Sequence, residues 1–175
     1  MLGIRTSQQG LTLIEIMIGL VLLAILTTLA VPAYQTWIHN SQIRNAAEGI
    51  LNGLQLARGE ALQRNTPVEL VMGFTSGWTV RTVNTGTVVQ TRAGREGSQS
   101  AAVTITPDTA DRVTFNGMGW VTPNNDGSPA ISRIDVNSAV VVSEEIRPLR
   151  VVIGTGGAVK MCDPAVAADD PRRCF

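Results

Sequence analysis

The chain has 175 residues, enough for one globular domain together with a membrane segment. Apolar residues make up 44% of it, too few for a polytopic membrane protein, and with 4% aromatic residues a core must be built mainly from Val, Ile, Leu and Ala. The formal net charge is zero, which excludes a global field that steers the protein toward nucleic acid or acidic lipid.

The first predicted element is a long apolar helix at residues 11–33. As a helix this stretch rises about 35 Å, enough to cross a bilayer with some tilt. It carries one carboxylate, Glu15, and no other ionisable side chain occurs from Ile16 to Val31. An ionised acid in the bilayer core costs roughly 2.5–3.5 kcal/mol, so something must offset that cost.

A cleavable secretory signal is the alternative interpretation of this segment. The apolar region of such a signal normally spans about 7–15 residues and ends at a small-residue cleavage site, whereas here the helical pattern continues without a break. The preceding stretch, MLGIRTSQQG, is polar with one Arg, which favours a cytoplasmic N-terminus.

Beyond Pro32 the pattern becomes periodic, which predicts an amphipathic continuation of the same helix over residues 34–65. One face carries six apolar residues spaced three or four apart: Ile43, Ala47, Ile50, Leu54, Ala57 and Ala61. We expect the helix to end near Asn65, because Pro67 disfavours helix for the residue before it. Pro32 predicts a kink near the junction, since it removes a backbone donor and clashes with the preceding turn.

Residues 66–175 show a β pattern throughout, with turn signals between short Val- and Thr-rich runs. Strands with polar alternates suit a sheet covered on one face, and the apolar face of the helix is the natural cover. The predicted fold class is α+β, a long N-terminal helix packed on antiparallel sheets. The strands are predicted at 67–73, 78–84, 87–93, 101–106, 112–116, 119–122, 131–136, 149–154 and 158–161.

Two polar stretches, 93–101 and 122–130, are predicted to be loops. The second contains Asn124, Asn125 and Asp126, but their spacing matches no calcium loop, and Asn-Asp-Gly is ordinary turn chemistry. The Gly-rich run GTGGAV at 154–159 matches no nucleotide-binding pattern and is better explained as a turn. We therefore predict no cofactor and no metal site.

An enzymatic function is not expected. The only histidine, His39, lies in the helix just past the membrane segment, so a Ser/His/Asp or Cys/His arrangement cannot form within the β-domain. Two cysteines, Cys162 and Cys174, lie near the C-terminal end, too few for a structural zinc site. Outside the cytosol they are expected to form a disulfide that closes a terminal loop; in the cytosol they would be free thiols.

The N-terminal residues match a specific pattern: Gly10, then Leu11-Thr12-Leu13-Ile14-Glu15, then an apolar run with Pro32. This resembles the class III signal of type IV pilins and pseudopilins. The resemblance implies that a prepilin peptidase removes a leader, residues 1–10, by cutting between Gly10 and Leu11, and that the new amino terminus is methylated. The family usually has Phe after the cut, so Leu11 is a departure.

The same resemblance implies a role for Glu15. In an assembled filament, its carboxylate would neutralise the amino terminus of a neighbouring subunit, so that two costly charges offset one another. The alternative is that Glu15 lies at the headgroup boundary and is solvated.

A narrower resemblance covers the rest of the chain. LNGLQLARGEALQRNTPVEL resembles the GspH/FimT branch, and VTFNGMGWV and CDPAVAADDPRRCF resemble FimU-type minor pilins. The implied function is that of a minor pilin in the tip or priming complex of a type IV pilus. Its implied partners are other minor pilins, the major pilin, the prepilin peptidase and the inner-membrane assembly platform. The resemblance also implies a single inner-membrane span, a periplasmic domain 66–175 and, after assembly, a place at the pilus tip on the cell surface.

Two alternatives stay open. One is a GspH-type pseudopilin of type II secretion. The other is a FimT-like DNA receptor for natural transformation, in which arginines bind phosphate without reading sequence; the candidates are Arg172, Arg173, Arg92 and Arg95. Three nearby acids, Asp163, Asp169 and Asp170, would largely cancel the terminal pair, and a salt bridge from Arg172 to Asp169 or Asp170 is the structural explanation of that arginine.

Overall fold

One long helix precedes nine strands in the part of the chain described by a computed structural model, residues 12–140 and 144–174. The helix, α1, spans Leu13–Arg64. It begins after Thr12, whose hydroxyl accepts the backbone N–H of Glu15 at 3.3 Å, an N-cap contact. It ends as predicted: Asn65 adopts the left-handed conformation (φ 50°) that commonly terminates helices, and Pro67 follows.

The strands form two antiparallel sheets, in which neighbouring strands are joined by backbone hydrogen bonds. The first has the order β3-β2-β1-β5-β6 and the second β4-β7-β8-β9. The strands span, in chain order, β1 Val68–Met72, β2 Trp78–Thr82, β3 Val88–Arg92, β4 Ala101–Thr106, β5 Arg112–Phe115, β6 Val121–Thr122, β7 Arg133–Ser138, β8 Leu149–Ile153 and β9 Val159–Cys162.

All nine predicted strands are present; most bounds agree with the prediction within one residue, and β2, β6 and β7 differ from it by two residues. β7 begins two residues later than expected because Ile131 donates its N–H to the carbonyl of Arg112, in the other sheet, before the chain joins β4. β6 is shorter than the predicted 119–122 because Asn116 and Trp120 close a tight turn: the N–H of Asn116 donates to the carbonyl of Trp120.

The core lies where the second half of α1 covers the sheets. The whole predicted apolar face is buried, with Ala47, Ile50 and Leu54 fully inaccessible and Ile43 1% exposed. The sheets contribute alternate residues, as the period of two requires; Phe115 is the largest fully buried side chain. The fold prediction is confirmed.

The chain divides into two units, Met1–Trp37 and Ile38–Phe175. Every buried apolar residue in the described part of the chain lies at or after Ile43, within the second unit. That unit therefore has both sheets and a complete core of its own. Pro32 lies inside α1 in the first unit, and the kink expected there stays a prediction.

Candidate functional site

The apolar half of α1 exposes its side chains. The described large apolar residues from Leu13 to Val31 are each more than half exposed, and the helix is long and apolar enough to cross a bilayer. The hydroxyls of Thr27 and Thr28 donate to the carbonyls of Ala24 (2.9 Å) and Ile25 (2.7 Å). Polar groups in lipid must form their hydrogen bonds within the protein, and both threonine hydroxyls do so.

Glu15 lies in the first turn of α1, three residues after the N-cap residue Thr12. A Thr-x-x-Glu arrangement is the sequence pattern of a capping box, and the positive end of the helix dipole favours an anion there. The carboxylate of Glu15 therefore lies at the end of the helix where a negative charge is most favourable. The predicted cleavage residues, Gly10 and Leu11, lie outside the described residues, so their roles stay predictions.

Two glycines in the second half of α1 allow side chains of the first sheet to approach the helix backbone: an added methyl group would meet the Arg92 guanidinium at Gly49 and the Trp78 indole at Gly53. The indole N–H of Trp78 donates to the carbonyl of Gly49 at 2.9 Å, and a methyl group at Gly53 would lie 2.6 Å from the indole ring. The sequence did not predict this contact. The available signal was a pair of glycines four residues apart inside a helix, where each costs about 1 kcal/mol relative to Ala and so needs a packing reason.

Arg92, a predicted phosphate-binding residue, instead joins β3 to the helix. Its guanidinium donates to the carbonyl of Asn45 at 3.2 Å and to that of Glu96 at 3.0 Å. It lines an open polar groove of about 350 Å³ together with Trp78 and Glu48. Arg95, another of the four candidate phosphate-binding arginines, is exposed.

The predicted disulfide is present and closes the C-terminal loop. Cys162 and Cys174 are bonded with their Cα atoms 5.1 Å apart, and the loop is tied across its base because the N–H of Asp163 donates to the carbonyl of Arg172 at 2.8 Å. Cys162 ends β9, an edge strand of the second sheet, so the disulfide fastens the chain terminus to that edge.

Arg172 is held by a carboxylate inside this loop. Its guanidinium donates to both oxygens of Asp170, at 3.1 and 2.7 Å. The guanidinium bonds, and a further bond from the backbone N–H of Arg172, lower the pKa of Asp170 to about 2, and the bonds to the carboxylate raise the pKa of Arg172. The salt bridge expected between Arg172 and an aspartate of the loop is therefore present, and its acidic partner is Asp170 rather than Asp169. Arg173 is exposed.

Most arginines outside this loop also have carboxylate partners, arranged as networks on the sheets. On the first sheet, buried Glu69 lies directly across from Arg81 (2.6 Å) and within 3.8 Å of Arg112. Arg112 also contacts Asp126 at 3.2 Å and hydrogen-bonds Asp111, and this bond lowers the pKa of Asp111.

On the second sheet Asp135 lies between two arginines, Arg133 and Arg150. Four lysine and arginine side chains in the described part of the chain lack both an ion pair with a carboxylate and a hydrogen bond to a carbonyl. They are Arg95, Arg147, Lys160 and Arg173.

The Asn124 loop is a self-contained turn. The Asn124 side chain, 4% exposed, accepts from the hydroxyl of Thr114 at 2.9 Å and donates to the carbonyls of Ser128 and Pro129, each at 3.1 Å. Asp126 accepts from Ser128 and pairs with Arg112. Within the described residues no three His, Cys, Asp or Glu side chains form a group that could hold a metal ion.

A long exposed apolar helix that leads into a small, helix-covered antiparallel domain is the architecture of a pilin-type filament subunit. The crystal structure of the type IV minor pilin FimU from Pseudomonas aeruginosa has the same fold, with a TM-score of 0.50 over 76% of this chain and 95% of that chain, at 16% identity. Such a likeness concerns the fold alone.

The sequence comparisons name the family. The family described as Type II transport protein GspH matches residues 46–165, and the prokaryotic N-terminal methylation motif matches residues 5–31. The chain belongs to the GspH family, a branch of the type IV pilins and pseudopilins. Its members are structural subunits rather than enzymes, which confirms that prediction, and the exposed apolar helix anchors such subunits in a membrane.

Curated relatives match over a shorter stretch. The Type IV major fimbrial protein FimA of Dichelobacter nodosus is 43% identical over 61 residues, which cover 34% of this chain and 36% of the relative. The Type IV major alpha-pilin of Moraxella bovis is 36% identical over 62 residues, 35% of this chain and 39% of the relative. The chain thus spans little more than a third of the length of these relatives.

Proposed function

We propose that this chain is a minor pilin that acts in the tip or priming complex of a type IV pilus. Membership of the pilin and pseudopilin group implies association with other such subunits in a pilus or pseudopilus. The narrower proposal is supported by the type IV fimbrial relatives, 43% identical over 61 residues, and by the fold shared with the minor pilin FimU over 95% of that chain. The partners would be other minor pilins and the major pilin.

Maturation would begin with a prepilin peptidase cutting between Gly10 and Leu11, followed by methylation of the Leu11 amine. The match to the N-terminal methylation motif supports this step. Mass spectrometry of the protein from its native host should find a chain that begins at Leu11 and carries one extra methyl group. A Gly10→Val variant should keep residues 1–10 and stay unmethylated; a processed Gly10→Val chain would contradict the proposed cleavage site.

Before assembly the subunit would span the inner membrane once, with residues 66–175 in the periplasm. The disulfide supports this placement, because such bonds persist in oxidising compartments. During assembly, Glu15 would neutralise the Leu11 amine of a neighbouring subunit, an ion pair in an apolar environment. Assembly would carry the subunit to the pilus tip at the cell surface.

A type II secretion pseudopilin is the second candidate, and membership of the GspH family of type II transport proteins favours it. The two candidates share fold, anchor and maturation, and they differ in the subunits that the β-domain contacts. Partner choice therefore decides between them.

DNA reception is a weaker proposal because two of the four arginines that would bind phosphate already have partners. Arg172 is held by Asp170 and Arg92 by two backbone carbonyls. A phosphate would have to displace these partners. Arg95 and Arg173 remain, one beyond the end of β3 and the other in the loop beside β9, on different sheets.

The test uses the second unit, residues 38–175, which carries the whole core, produced in an oxidising compartment. Its binding is measured to the minor pilins of its native host, to the host's type II secretion pseudopilins, and to duplex DNA at low and physiological salt. Binding to minor pilins with negligible DNA affinity supports the proposal. Selective binding to secretion pseudopilins would overturn it in favour of the second candidate.

DNA binding that weakens steeply with increasing salt concentration would indicate that the chain is a DNA receptor. Arg173→Ala and Arg95→Ala should then abolish it, while Arg44→Ala is the matched control, because Arg44 is an exposed arginine paired with Glu48 on the helix. Equal loss with all three variants would indicate general charge attraction rather than a site.

A further inference from the structure

Two aromatic side chains form a stacked pair on α1, at the end of its apolar segment. The rings of Tyr34 and Trp37 lie 5.9 Å apart with 25° between their planes. They are exposed by 61% and 64% respectively. The pair includes the only tyrosine of the chain and one of its three tryptophans. Tyrosine and tryptophan rings have an apolar face and a polar tip, which suits an environment that is apolar on one side and wet on the other.

The position of the pair along the helix suits a membrane–water interface. From Glu15 to Tyr34 a helix rises roughly 28 Å, close to the hydrocarbon thickness of about 30 Å. The intervening described side chains are apolar or, like Thr28, satisfied within the helix. Just past the pair the chain turns polar, with His39 and Asn40.

We propose that the Tyr34–Trp37 pair binds the headgroup–acyl boundary of the outer leaflet of the membrane and sets the depth of the subunit. Tyrosine and tryptophan concentrate at this boundary because their rings are amphipathic. The surface is continuous with the membrane segment of the same helix, so the lipid boundary is its natural occupant.

The depth set by the pair has a consequence for Glu15. With the aromatic rings at one boundary, the carboxylate lies at the opposite one, where water and headgroups solvate it. An isolated subunit therefore avoids the cost of an ionised acid in the bilayer core. The carboxylate would enter an apolar environment only when the subunit leaves the bilayer for a filament. The inference rests on the membrane anchoring included in the proposed function, not on the tip role.

The test is fluorescence quenching of the full-length chain in phosphatidylcholine vesicles. Two vesicle preparations carry bromine on the acyl chains, one close to the headgroup and one close to the bilayer centre. The Trp37 signal is the difference between the Trp120→Phe chain and the chain with both Trp120→Phe and Trp37→Phe. Trp78, 4% exposed, stays as a constant background. Flotation of the vesicles on a density gradient reports anchoring independently.

We expect shallow bromine to quench Trp37 more than deep bromine does. Trp120, 57% exposed in the second unit, is the matched control: measured in a Trp37→Phe chain, it should be quenched by neither. If the protein floats but Trp37 is unquenched, or is quenched most by deep bromine, the inference fails while anchoring stands. If Trp37 is unquenched, the alternative occupant of the Tyr34–Trp37 pair is the helix of a neighbouring pilin subunit. Failure to float would overturn the inference and the proposed anchoring together.

Discussion

Replacing Gly53 with Ala tests the close approach of the sheet to the helix. In an open helix position this substitution is stabilising, because Ala restricts the unfolded chain and suits the helix better by about 0.8–1 kcal/mol. At Gly53 the added methyl would lie 2.6 and 2.8 Å from two ring atoms of Trp78 and 3.0 Å from Leu70. Trp78 is 4% exposed and its indole N–H is hydrogen-bonded to the carbonyl of Gly49, so moving the ring away from the helix would break that bond.

The net effect at Gly53 follows from the difference between these terms. Overpacking a core costs typically about 1–3 kcal/mol, and weakening the indole hydrogen bond about 1 kcal/mol more. After subtraction of the propensity gain, we expect a loss of about 1–3 kcal/mol in the free energy of unfolding. Gly59, exposed in the same helix with no atom within 4 Å of an added methyl, should show the full gain.

The assay is thermal unfolding of residues 38–175, followed by circular dichroism. For a unit of roughly 140 residues, 1 kcal/mol corresponds to about 3–4 °C in Tm. The Gly53→Ala and Gly59→Ala variants should therefore differ by about 5–16 °C, with opposite signs relative to the parent. If Gly53→Ala raises Tm as much as Gly59→Ala does, the tight packing of Trp78 on the helix is wrong.

Three further predictions concern the loops of the β-domain. Replacing Cys162 with Ser should destabilise the terminal loop by about 3 kcal/mol at most, and hydrogen exchange should show lost protection there while the sheets stay protected. The carboxyl of Asp170 should titrate in an NMR experiment with a pKa of about 2; Arg172→Ala should raise it toward 3.8, and an unchanged value would contradict the ion pair. Since the folded pKa is the lower one, its stabilising contribution is complete above pH 4 and disappears as pH falls toward 2. Asn124→Ala should cost about 2–4 kcal/mol in denaturant unfolding because several buried partners lose their hydrogen bonds, whereas the exposed neighbour Asn125→Ala should change stability by under about 0.5 kcal/mol.

Periodicity along the chain was sufficient to predict the fold class. The 3.6-residue repeat from Ile43 to Ala61 identified the buried face of the helix, and the alternation of Val and Thr located the strands. Proline and asparagine at 65–67 located the helix end. The apolar segment with Glu15, and the two cysteines near the C-terminus, could also be recognised from sequence, because these signals are local in the chain.

Contacts between distant parts of the chain were decided only by the tertiary structure. The division of nine strands into two sheets depends on which strands meet, and the late start of β7 follows from a hydrogen bond between Ile131 and Arg112 across the two sheets. The Arg92 side chain is occupied by the carbonyl of Asn45, which precedes it by 47 residues. From the sequence, Arg92 was predicted to be available for binding phosphate. The hydrogen-bond partner of a side chain is set by tertiary packing and not by its neighbours in the chain.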